Sequence, residues 1–204
     1  MEPGLSELIG GAVRLDPTAF EAIQSAPHGL RDALLVLLLA GASETLGQSV
    51  VLVLNRVSRR RFCLALVLGG VALALEALVW MGLVWLLVGA LGVERPAFRS
   101  AARVIALAYA PLVLGFFVFL PYLGPMLMHV LRVWVLLAVV VGTSVVFGLP
   151  PLAAAVAASA GFIARWLLLG LFAQLGDRVG RIMRRGGSGA STGRLALGSV
   201  ERRR

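Results

Sequence analysis

Long apolar runs alternate with short polar or turn-forming breaks along this chain, and the alternation predicts its elements. Five runs are long enough for membrane crossings, each of which takes about 20 predominantly apolar residues. They cover Ala33 to Leu54, Phe62 to Gly92, Val104 to Leu120, Met126 to Phe147 and Leu152 to Leu175. Between the first two lies Asn55-Arg-Val-Ser-Arg-Arg-Arg61, a charged stop that keeps the helix from sliding inward. The second run exceeds a perpendicular crossing, so tilt or a frayed interfacial end is expected. Phe98 to Arg103 reads as an amphipathic approach to the third span. The interior Pro111 of that span removes a hydrogen bond to Leu107 and predicts a kink. Pro121, Gly124 and Pro125, and later Gly148, Pro150 and Pro151, form short uncharged turns, which makes the helices they join antiparallel.

Residues 1–29 follow a different pattern. Leu5, Leu8, Ile9 and Val13 fall on one side of a short amphipathic helix. In Leu15-Asp-Pro-Thr-Ala-Phe-Glu21 the Asp16 side chain can cap free amides and Pro17 suits the first helical position. Pro27 and Gly29 close this second helix, and both pieces are expected on the membrane surface. Beyond Asp177 the chain turns basic and then rich in Gly and Ser, the composition of a disordered tail. The expected layout is an amphipathic surface segment over 1–29, a five-helix transmembrane domain over 30–176 and a basic tail over 177–204. The fold class is all-α, a polytopic bundle of about five helices.

Composition agrees: 59% of the 204 residues are hydrophobic and 14% are charged, against roughly 25% charged in a soluble domain. A water-soluble fold cannot hide that much apolar surface. The net charge of +9 is carried by arginines in short loops and at the C-terminus, without the aromatic interleaving of a nucleic-acid surface. The expected partner is therefore the lipid bilayer, with anionic headgroups drawn to Arg178, Arg181, Arg184 and Arg185, each contributing about 1 kcal/mol near a charged surface. The N-terminus lacks the basic start and apolar run of a cleavable signal peptide, so the first span is expected to direct insertion. Arginine bias between the loops places the C-terminus in the cytoplasm of a multi-pass cell-membrane protein.

Ionisable residues inside spans cost about 2.5–3.5 kcal/mol each at a helix centre, which makes them the strongest functional pointers. Glu44, Gln48 and Asn55 share a narrow arc of the first span and are expected to face the bundle interior. Glu76 lies mid-span near Trp80, and Arg165 lies near the middle of the fifth span on the face of Gly161. Arg132 is nearer a helix end and can snorkel to the headgroups with His129. Pairing of Glu44 or Glu76 with Arg165 is the structural expectation, and an ion or proton path is its rival. Ala153, Ala157 and Gly161 recur at the spacing that lets backbones approach, either within the monomer or at a homodimer seam. Trp80, Trp85, Trp134 and Trp166 read as packing or interface anchors.

No His-Glu-x-x-His, P-loop, Gly-x-Ser-x-Gly or Cys-x-x-Cys string occurs. With two histidines, His28 and His129, and the single Cys63, neither a metal site nor a cofactor is expected. Ser144 or Ser159 with His129 is a weak protease pattern.

The strings Arg14-Leu-Asp-Pro-Thr-Ala-Phe20, Gly47-Gln-Ser-Val-Val51 leading to Asn55-Arg-Val57, and Phe62 resemble the bacterial branch of the Yip (Ypt-interacting protein) family. Ala108-Tyr-Ala-Pro111, Leu120-Pro-Tyr-Leu-Gly124 and Val139-Val-Val-Gly142 extend the resemblance over about residues 10 to 175. It implies five helices, a bacterial inner-membrane location and no catalytic residues. The expected function is non-enzymatic organisation of membrane or partner proteins. A transporter or channel subunit using Glu44, Glu76 and Arg165 is the alternative.

Overall fold

Local chemistry sets the first two helices. In the computed structural model, residues 3–48, 59–120 and 122–168 are described. Helix α1 spans Leu5–Val13, and the Glu7 carboxylate folds back to accept a hydrogen bond from the Gly4 amide at 3.0 Å. Helix α2 spans Pro17–Ser25. Its Asp16 cap accepts from the Thr18 amide at 3.0 Å and Pro17 occupies the first helical position, as the sequence predicts. That hydrogen bond, with the Thr18 side chain and Arg14 adding to it, holds the Asp16 carboxyl below its ordinary value. A lowered value means that the cap stabilises the fold above the ordinary aspartate pKa of about 3.9 and is lost as pH falls through the folded value. Asp16→Ala is therefore expected to lower the melting temperature at pH 7, with the difference from the native chain closing in acid. Asp16→Asn, which caps without titrating, should remove the pH dependence. Thermal unfolding across pH checks both.

The remaining elements are helical too, and no strand occurs among the described residues. They are α3 (Gly29–Gln48), α4 (Arg59–Ala90), α5 (Phe98–Leu107), a 3₁₀ segment (Ala110–Phe119), α6 (Leu123–Phe147) and α7 (Pro151–Leu168). Among the described residues four stretches are long and apolar enough to cross a membrane: Phe62–Ala90, Phe98–Phe119, Leu123–Phe147 and Pro151–Leu168. The chain is thus a multi-pass integral membrane protein with an all-α architecture. Of the first expected span, residues 49–54 lie outside the described residues, as do 169–175 of the fifth. The tail over 177–204, with Arg178, Arg181, Arg184 and Arg185, lies outside them as well. Two compact units divide the chain at Ile163 and Ala164; the described part of the second is the closing turn of α7.

The third span departs from expectation. Instead of kinking, the α-helix ends at Leu107, turns at Ala108 and Tyr109, and resumes as a 3₁₀ run of 10 residues with Pro111 at its start. Pro111 offers no amide to the Leu107 carbonyl and its ring would clash there, so the α-ladder stops at that carbonyl. Runs of 3₁₀ beyond three or four residues are uncommon, and this one has an external support. The Ser43 hydroxyl donates to the Val113 carbonyl at 2.6 Å and accepts from the Phe116 amide at 2.8 Å. It is inserted between the two groups that a 3₁₀ turn would join directly.

Two glycine contacts draw α3 against its neighbours. A Cβ on Gly41 would strike the backbone of Gly70 on α4, and one on Gly47 would strike the Gly115 carbonyl of the 3₁₀ segment. Only residues without side chains permit such approach. The α1–α2 hairpin is also docked. Leu8, Ala12, Phe20 and Ile23 are fully buried, Phe20 lies against Gly142 of α6, and the Trp134 indole donates to the Val13 carbonyl at 2.9 Å. Arg103 of α5 donates to the Gln24 and Ala26 carbonyls at 3.2 and 3.0 Å, capping the C-terminal end of α2. The apolar stripe of the hairpin is thus turned to protein rather than left for lipid.

Candidate functional site

α3, α4 and α6 each bring one charged side chain to a common point. The Arg132 guanidinium donates through Nη2 to Glu44 Oε1 at 2.7 Å and through Nη1 to Glu76 Oε1 at 2.8 Å. The planar fork of arginine suits this double role, since its two terminal nitrogens diverge towards separate acceptors. Side-chain exposure is 14% for Glu44, 22% for Glu76 and 35% for Arg132, so the cluster is half-buried. A cavity of about 200 Å³ opens beside it, bounded also by Gly41, Thr45 and Gly69. A Cβ on Gly69 would strike the Thr45 hydroxyl, which donates to the Gly41 carbonyl at 2.7 Å.

This arrangement revises the sequence expectation for Arg132. Rather than snorkelling, its guanidinium stands between the two glutamates, because α6 begins at Leu123 and places residue 132 well inside the helix. Arg165, the expected partner, is buried and belongs to the second unit. Gln48 closes α3, and its side chain, like Asn55, lies outside the described residues. His129 bonds through Nδ1 to the Pro125 carbonyl at 2.6 Å, and Ser144 donates to the Leu149 carbonyl at 2.7 Å. These two residues stand about 22 Å apart along α6, too far for a nucleophile and its base. Among the described residues no three His, Cys, Asp or Glu side chains gather as a metal site.

Trp80, Trp85 and Trp134 act as packing and hydrogen-bonding posts, whereas Trp166 is exposed. Trp80 is buried, donates to the Ala158 carbonyl at 3.1 Å and meets Tyr109 and Phe162 edge-on at 6.2 and 5.4 Å. Gly161 makes the approach possible, since a Cβ there would lie 2.6 Å from Val84 and 3.2 Å from Trp80. With Ala157 also buried, this part of the small-residue stripe packs within the chain. Trp85 donates to the Pro96 carbonyl at 3.2 Å beneath the Arg95 guanidinium, 4.4 Å from the ring centre. Sequence reasoning missed Ser43 and Thr45. Both flank Glu44 and both serve backbone carbonyls, and their place beside an intramembrane glutamate was the available signal.

Comparison with known proteins gives no match to a family model, to a curated protein or to a solved structure.

Proposed function

We propose that this integral membrane protein is non-enzymatic, similar to the bacterial Yip branch, and that it organises the bilayer or partner proteins around it rather than conducting a solute. The observation that carries this reading is the bridge of Arg132 to both Glu44 and Glu76: ionised groups that could have lined a path instead tie three helices together. The tail arginines contribute anionic-lipid contact in this reading, with the C-terminus cytoplasmic and a membrane-protein partner or a second copy docking laterally. In proteoliposomes carrying a pH-sensitive dye, proton and monovalent-cation flux should equal that of empty vesicles, unchanged by Glu44→Gln or Glu76→Gln. Flux above background that disappears in those variants would overturn the proposal.

A transport role is the second reading, and one feature favours it. Irregular backbone at membrane depth is tolerated where it is buried or lines a cavity, and transporter sites use broken helices. The 3₁₀ segment passes Glu44 closely, with Gly115 so near that a Cβ would lie 3.1 Å from Glu44 Cα. The same flux measurement distinguishes the two readings.

A further inference from the structure

The lipid-facing surface of the first unit is not the same height on every side. On α4, exposed large apolar side chains run from Leu64 to Leu87, about 35 Å along the helix axis. On α6 they run from Leu123 to Leu137, about 21 Å. No residue of α6 from 138 to 147 is exposed, and within that length the Phe20 ring of α2 and Val104 of α5 close over Gly142. The hairpin replaces the apolar surface with a polar one. Its exposed residues include Ser6, Glu7, Arg14, Asp16, Thr18 and Glu21, and none of residues 3–28 is an exposed large hydrophobic.

The ion pair between Glu76 and Arg132 supplies a common level for the two helices, which run in the same direction because one returning span separates them. Above that level the belt continues about 16 Å on α4 and about 8 Å on α6. Tryptophan and arginine, the usual residues of a membrane interface, mark both upper edges. Trp85 lies under Arg95 on α4, while Trp134 and Arg14 border one groove on α6. These markers differ in level by about 10 Å.

A hydrocarbon layer is about 30 Å thick. Tilt can shorten the projection of the long belt, but it cannot lengthen the short one. Raising the layer to cover Leu87, with Leu152 and Val156 sharing its apolar groove, would place Arg14, Asp16 and Glu21 in hydrocarbon. Lowering it would leave those leucines and valine in water.

We propose that the α1–α2 side of the bundle sits in locally thinned bilayer, where phospholipid headgroups and their water descend to the polar face of the hairpin, about 10 Å below their level beside α4. This goes beyond the organising role proposed above by naming the side and the leaflet on which lipid is displaced.

Spin labels test it on the full chain in phosphatidylcholine vesicles, with Cys63→Ser removing the native thiol. Thr18→Cys and Leu87→Cys place labels at similar heights above the ion pair, since Phe20, close to Thr18, contacts Gly142, about 15 Å above Arg132. The label at 18 should be relaxed several-fold more by a water-soluble nickel chelate than by oxygen, and the label at 87 the reverse. Oxygen dominating at both sites would put the hairpin in hydrocarbon and overturn the proposal. Nickel dominating at both would place that whole end of the bundle outside the bilayer and overturn it equally.

Discussion

Gly41→Val is expected to destabilise the protein by about 3 kcal/mol, the upper end of overpacking costs. The added Cβ would strike the Gly70 backbone and lie 2.8 Å from the Gly69 carbonyl. Backbone atoms in the middle of a helix cannot swing aside as a side chain can, so α3 and α4 must part. For a chain of this size the loss corresponds to about 6–12 °C in melting temperature. An internal control exists on α4: a Cβ at Gly82 meets nothing within 4 Å. Gly82→Ala should be neutral, or stabilising by up to about 1 kcal/mol through helix propensity. Thermal unfolding in detergent checks the contrast. Equal melting temperatures for the two variants would mean that α3 and α4 do not meet at glycine.

Arg132→Leu should cost about 2–3 kcal/mol. Removing one member of a buried charge pair costs roughly 3–5 kcal/mol, and the figure here is reduced because a third of the guanidinium side chain is exposed. Arg132→Lys keeps the charge but not the fork that reaches both carboxylates at once, so it should recover only part of the loss. Glu44→Gln and Glu76→Gln retain an acceptor and should each cost less than the arginine change. Combining both glutamine changes with Arg132→Leu should be milder than the sum of the separate effects, because charges that repel one another once the arginine is gone are then absent. Strict additivity across that cycle would show that the bridge does not couple the three helices.

Local chemistry was readable from sequence wherever cause and effect lie within one turn. Asp16 and Pro17 specify the start of α2 because an N-cap acts on amides two or three residues away. The apolar runs specify the spans for an equally direct reason, since each must match a hydrocarbon layer. Partner choice was not readable in this way. Arg132 could be recognised as an intramembrane charge, but its bond to Glu44, 88 positions away, depends on how helices are arranged across the bundle. The break at Pro111 was visible, whereas its continuation as a 3₁₀ run rests on Ser43, about 70 residues distant. An amphipathic stripe such as Leu8, Phe20 and Ile23 looks the same whether it meets lipid or protein. The hint that it meets protein is Gly142, which leaves space for the Phe20 ring.

The docked hairpin has a consequence for the order of events during synthesis. Val13 emerges early, but the Trp134 indole that binds its carbonyl lies 121 positions further along the chain. At roughly 5–20 residues per second, about 6–24 s separate the two. During that interval Leu8, Phe20 and Ile23 have no groove to enter, and the bilayer surface or a chaperone must shield them. The hairpin is made well before its groove and seated late, so it closes the α5–α6 side of the bundle only after α6 has formed.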